Sequence, residues 1–259
     1  MRFRFLPLAL AVASGCHHEQ GDAASSSATA SDDAPAPPVA GEEGDDPPQG
    51  PLGTPPPAGS AQSALLAEVD RQLGAVKSST YLHHAHVDEA SGAFDYDCSG
   101  FLDYALARVV PDALAAVQAT TPRRPRSKDY VAFLAKIPPG EARGRWERVG
   151  LVKDLVPGDV IVWLKPADSP STNTGHTMIV HGPPSPDPEH AGAFVVPIVD
   201  STEHPHVPGD ARAPDHRTGL GRGEIVLLTD GAGAAVGYRW SRGRKSREKA
   251  TTIALGRLR

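Results

Sequence analysis

The chain has 259 residues, an ordinary apolar share of 39% and a formal net charge of −5. Eight of its 31 acidic residues lie between residues 16 and 60, where there is no Lys or Arg. From residue 61 onward 23 acids face 24 basic residues, so this near-neutral remainder carries no electrostatic footprint for a nucleic-acid partner.

At the N-terminus, Arg2 and Arg4 precede an apolar run from Phe5 to Ala13, and Ser14-Gly15-Cys16 follows. The run is far short of the ~20 residues that span a bilayer. Residues 1–15 resemble a bacterial lipoprotein signal peptide, with Ala13-Ser14-Gly15-Cys16 as the lipobox. That resemblance implies cleavage before Cys16 and lipid on its sulfur. The protein is then exported to the cell envelope and held on the extracytoplasmic face of a membrane. Residues 16–60 are rich in Ala, Ser, Gly and Pro and have no aromatic residue. Such a segment buries too little apolar surface to offset its ordering entropy, so an extended, self-repelling tether is expected.

The domain, residues 61–259, opens with Leu65, Leu66, Val69, Leu73 and Val76 at helical spacing, which predicts a helix from Ser63 to about Lys77. His83-His84-Ala85-His86-Val87-Asp88 invites a metal reading, but no matching ligand set follows. A polar loop is expected there, with no metal.

Next comes Asp95-Tyr96-Asp97-Cys98-Ser99-Gly100-Phe101, continuing to Leu102, Ala105 and Leu106. Asp97 is a good helix cap, and the apolar residues after it make one helical face. Cys98 therefore sits at the first turn of a buried helix, whose positive end favours a thiolate. With Cys16 lipidated, Cys98 is a lone thiol in an oxidising compartment, which argues for use in catalysis. The plainer alternative is a small buried apolar side chain.

The Cys98 helix is predicted to end near Val110-Pro111, and Ser127–Ile137 reads as another helix capped by Ser127. The arginines flanking it, Arg124 and Arg126 among them, read as a solvated face. From Val149 the pattern turns to strands. Pro157-Gly158-Asp159 is a turn and Val160–Leu164 a buried strand. His176–Val180 is a strand opening with histidine, and Phe194–Val199 one ending at Asp200. Residues 203–223 read as a long polar loop, and three further strands are predicted at Glu224–Leu228, Val236–Trp240 and Thr251–Leu255. Helices first and strands after argue an α+β domain with an antiparallel sheet.

If the strands beginning at His176 and ending at Asp200 pair as a hairpin, the carboxylate lies beside the imidazole. It would orient His176 while the other ring nitrogen serves Cys98, the nucleophile–base–orienter arrangement of acyl transfer. Alternation puts His176, Met178 and Val180 on one face, taken to be the face toward the helices. Asp200 also reads simply as a turn residue, and His181, His204 and His206 are lesser competitors.

Asp97-Cys98-Ser99-Gly100-Phe101, Pro157-Gly158-Asp159-Val160-Ile161 and Gly175-His176 before an apolar strand resemble, in order and spacing, the NlpC/P60 cysteine peptidases. The resemblance implies a papain-like fold and hydrolysis of peptide bonds in peptidoglycan, with no cofactor. It implies Cys98 as nucleophile, His176 as base and Asp200 as orienter. Tyr81 would line the site, and Asp97 and Ser99 would bind a free substrate amine. The implied partners are the peptidoglycan peptide and, through Cys16, a membrane; a monomer is expected. An amidase or acyltransferase of the same fold, and a tethered binding module without turnover, are the alternatives.

Overall fold

A computed structural model describes residues 55–170, 172–215 and 217–259. All the described residues belong to one unit. The expected signal peptide, Cys16 and nearly all of the tether lie outside the described residues.

Helix α1 spans Ala61–Ala75 and starts earlier than the spacing suggests, because Ser60 caps it: its hydroxyl accepts from the Ser63 N–H. Strands β1 (His86–Asp88) and β2 (Ala93–Asp95) form a small hairpin where a loop is expected. Helix α2 is Cys98–Val109, and Pro111 starts a separate helix α3, Pro111–Gln118, at the position where a missing N–H does no harm. Helix α4 is Ser127–Leu134, with Arg126 at its N-cap position. The Ser127 hydroxyl turns inward to Thr177 instead of capping.

The remaining strands are β3 (Ala142–Arg143), β4 (Trp146–Val149), β5 (Val160–Leu164), β6 (Gly175–Val180), β7 (Ser185–Pro186), β8 (Ala193–Thr202), β9 (Gly219–Thr229), β10 (Ala235–Arg239), β11 (Glu248–Ala250) and β12 (Ile253–Leu258). They form one antiparallel sheet in the order β11-β10-β9-β8-β6-β5-β12-β4-β3, with β7 paired to β8. The domain is thus a mixed α/β assembly of four helices and a large antiparallel sheet among the described residues. No helix among them is long and apolar enough to cross a membrane.

The sheet is buried on both faces, which is why β5 reads as an unbroken apolar run rather than an alternating one. Val160, Val162, Ile179 and Val199 meet the helices. Ile161, Trp163, Met178 and Val180 belong to a second core on the other face. There β10 touches β12, although β9, β8, β6 and β5 separate them in strand order, so the sheet curls around this core.

This corrects the expected facing of β6. Met178 and Val180 point away from the helices, and Thr177 and Ile179 point toward them. The alternation itself holds; its phase is set by pairing with β5, where Trp163 lies opposite His176.

The turn Pro157-Gly158-Asp159 is a structural knot. Gly158 has φ +89°, and a Cβ there would lie 2.7 Å from the Gln62 side chain. The buried Asp159 carboxylate accepts from Gln62, from Arg257 on β12 and from the Val156 N–H. Burial raises its pKa despite Arg257. Helix α1, the entry to β5 and β12 are tied together at this one residue.

Candidate active site

Asp97 caps α2 as its residue type suggests, with Oδ1 accepting from the Gly100 N–H at 2.6 Å. That places Cys98 at the first helical position, where backbone N–H groups have no intrahelical acceptor. Cys98 is buried, at 4% exposure, and is the free cysteine among the described residues. Its sulfur lies 3.7 Å from Ser127 Oγ, which in turn bonds Thr177 Oγ1 at 2.9 Å. Ser127 is therefore committed to joining the starts of α4 and α2 to β6.

His176 enters β6 directly after Gly175. A Cβ on Gly175 would fall 1.8 Å from the Trp163 carbonyl oxygen, so only glycine permits this close approach of β6 to β5. His176 is nearly buried, with its ring edge-on to Trp240 at 5.1 Å and tilted against Trp163. Its Nε2 bonds Asp200 Oδ2 at 2.6 Å. Burial alone would depress its pKa. The negative charge on Cys98 and the hydrogen bonds to Asp200 and to Cys98 outweigh that and raise it to about 10. The protonated form of His176 is thus favoured beside the sulfur and the carboxylate.

Asp200 is fully buried at the far end of β8. Burial would raise its pKa, but Arg212, His206 and His176 hold it well below the ordinary carboxylate value. Arg212 Nη2 donates to Asp200 Oδ1 at 2.9 Å and to Asp210 Oδ2 at 2.7 Å. His206 faces acceptors on both sides, Asp200 Oδ2 at 2.9 Å and the Trp240 carbonyl at 2.7 Å, and its ring stacks on Trp240 at 4.0 Å. The carboxylate is fixed from three directions.

The ligating atoms of His176, Asp200 and His206 lie within 4.8 Å of one another, a grouping that could be taken for a metal site. The donor set does not fit one. Two ligands at ~2.1 Å on a tetrahedral ion sit roughly 3.4 Å apart. Here the atoms pair at 2.6 and 2.9 Å, and a buried guanidinium holds the other carboxylate oxygen. A hydrogen-bonded chain explains these distances without an ion.

Tyr81 stands over the sulfur. Burial, the Cys98 and Asp97 charges and a hydrogen bond to Cys98 all raise its pKa, so the phenol remains a donor. Tyr81, Asn173 and Gly175 are common to two clefts. One, of about 290 Å³, contains Cys98, Asp97, Ser99, Arg124 and Arg126; the other, of about 300 Å³, contains His176, Trp163, Glu203 and Trp240.

The structure therefore brings Cys98, His176, Asp200, Tyr81, Asp97 and Ser99 together. Asp97 and Ser99 are already engaged: Arg124 donates to Asp97 Oδ2 at 2.8 Å and to Ser99 Oγ at 3.2 Å. His83 also approaches Asp97, at 3.3 Å, and the histidine run around it gathers no metal-ligand group among the described residues.

Sequence reasoning gives no site role to Asp210, Arg212, Ser127, Trp240 or Arg124, and it ranks His206 only as a lesser competitor. The available signal is the density of His, Asp and Arg in residues 203–212, right after Asp200. Arg124, expected on a solvated face, is exposed as that reading has it but is also paired with Asp97 and Asp103.

No family model matches this chain, and no solved structure matches it. An uncharacterized protein of Acanthamoeba polyphaga mimivirus is 31% identical over 180 residues, which span 62% of this chain and 77% of the viral protein. The chain belongs to the same family as that viral protein.

Proposed function

We propose that the protein is a cysteine hydrolase that cleaves an amide bond by acyl transfer, its target being a peptide of peptidoglycan. The observation that carries this reading is the buried chain Cys98–His176–Asp200, with Cys98 at the start of α2 and His176 Nε2 2.6 Å from the Asp200 carboxylate. Cys98 attacks the carbonyl as a thiolate. The charge that develops on the carbonyl oxygen falls near the free backbone N–H of Cys98, at the positive end of α2, with the Tyr81 hydroxyl as a neighbouring donor. His176 gives its Nδ1 proton to the leaving amine, and the thioester is then released by water that His176 deprotonates. Asp200 keeps the ring oriented throughout.

In this reading the domain is a papain-like fold of the NlpC/P60 type. The sequence pattern Asp97-Cys98-Ser99-Gly100-Phe101 supports it, as does a helix-borne cysteine facing a strand-borne histidine. The protein works as a lipoprotein tethered through Cys16 in the cell envelope, with no cofactor.

The test is digestion of purified peptidoglycan by wild type and by Cys98→Ala, with released peptides identified by mass spectrometry. Products from wild type alone are expected; identical digests from the two proteins would remove the cell-wall assignment.

One observation favours a second reading, acyl transfer on a substrate with a long apolar part. A cleft of about 790 Å³ runs between Val207, Pro208, Tyr238 and Trp240, and it shares Tyr238 and Trp240 with the cleft at His176. Acylated products from lipid vesicles, with none from peptidoglycan, would select it.

A further inference from the structure

The cleft that opens on Cys98 has an unusual charge. The resemblance drawn from sequence would place an amine against Asp97 and Ser99, and such a site must offer an uncompensated carboxylate. Here both oxygens of Asp97 are committed. Oδ1 accepts from the Gly100 N–H and from Ser99 Oγ, and Oδ2 accepts from Arg124 and His83. An incoming ammonium would meet the Arg124 guanidinium, which is already where the amine would bind.

The second cation is not neutralised at all. Arg126 is exposed and lines the same cleft. It forms no ion pair among the described residues: the nearby Asp129 accepts from the Arg126 backbone N–H, not from the guanidinium. The other acid beside Arg124 is Asp103, whose pKa burial raises to about 7 despite Tyr130 and Arg124, so it supplies less than a full negative charge near neutrality. Glu203 lines the neighbouring cleft and not this one. The accessible charge beside the sulfur is therefore positive, and Arg126 is its unpaired part.

We propose that this cleft binds the anionic end of the acyl substrate, a carboxylate adjacent to the carbonyl that Cys98 attacks, with Arg126 as the specificity-determining residue and Arg124 closing the cleft to free amines. The inference rests on Cys98 being the nucleophile. It is specific to the acyl side and holds for a peptide or any other acyl donor.

Two alkylating reagents of nearly equal size test it without knowledge of the substrate. In each, the Cys98 thiolate displaces iodide and forms a thioether; iodoacetate carries a carboxylate and iodoacetamide does not. Rates at Cys98 in the full chain are followed by peptide mass mapping, and the iodoacetate-to-iodoacetamide ratio is referred to that of N-acetylcysteine. The wild-type ratio is expected to exceed the small-thiol ratio by about tenfold, the size of one charge contact at a half-exposed site. Arg126→Gln should remove most of that excess, Arg126→Glu should push the ratio below the small-thiol value, and added salt should compress the differences. A wild-type ratio equal to that of the small thiol, or one that Arg126→Glu leaves unmoved, would overturn the proposal. Slow iodoacetamide labelling that His176→Gln does not change would instead overturn the nucleophile assignment, and this inference with it.

Discussion

The two walls of the site differ in how they treat charge. On the Asp200 side a buried network has fixed partners: Arg212 bridges Asp200 and Asp210, and His206 bonds the Asp200 carboxylate. On the Cys98 side the arginines are half-exposed or exposed, and the space between them is open. A buried charge network tolerates no rearrangement, because removing one partner strands another in low dielectric. Open cations beside a cleft are available to a ligand. The first wall holds geometry; the second, in the proposed reading, chooses what enters.

The sharpest break of this contrast is removal of a group assigned to the proposed reaction. Cys98→Ala or His176→Gln is expected to lower turnover at least about 10³-fold, since the members of such a unit act together. Chemical turnover on the substrate found by product analysis checks this, with thermal unfolding as the control for folding.

Asp200→Asn comes next and strikes the locked wall. It should reduce turnover by roughly 10²–10⁴-fold and destabilise the fold by about 1–3 kcal/mol, because Arg212 keeps Asp210 but loses one of its two buried anions, and His176 and His206 lose the charge on their shared acceptor. The pH dependence follows from the depressed pKa of Asp200. Its stabilisation is present above the unfolded carboxylate value and is lost as pH falls through the folded one. The difference in Tm between wild type and Asp200→Asn should therefore narrow in acid.

The imidazolium gives the opposite sign. With its pKa raised to about 10, His176 contributes stability in full below its ordinary value, and this is lost as pH rises through about 10. Melting curves of wild type and His176→Gln should converge over that span. The same wall can be probed more gently at His206. Its replacement by Gln should cost about 1–3 kcal/mol by leaving an acceptor of the buried pair short of a donor.

The smallest effect is expected on the open wall. The burial-raised pKa of Asp103, about 7, means that its contribution is present in acid and lost as pH rises through that value. Asp103→Asn should accordingly gain in relative Tm between pH 5 and pH 8.

Parts of both walls are legible in local pattern. Asp97 as cap, Cys98 at the helix start, and His176 and Asp200 at strand ends all follow from short-range propensity. The rest depends on long-range packing. Nothing local in residues 203–212 says that Arg212 will be buried against the β8 end, or that His206 will stack on Trp240, dozens of residues away. The facing of β6 escapes a local reading for the same reason: alternation gives two faces, and only pairing with β5 and the curl of the sheet decide which one meets the helices. Ser127 has the composition of a cap, but its hydroxyl joins Thr177 and Cys98 instead.

If His176 and Cys98 act as one charged unit, removing the imidazole must change the sulfur. Iodoacetamide labelling at Cys98, measured at pH 6.5 in wild type and in His176→Gln with both proteins shown to be folded, tests this most directly. Labelling is expected to be at least about tenfold slower in the variant, because the imidazole that takes the thiol proton in the proposed mechanism is gone. Equal rates in the two proteins would contradict the pairing on which the whole site depends.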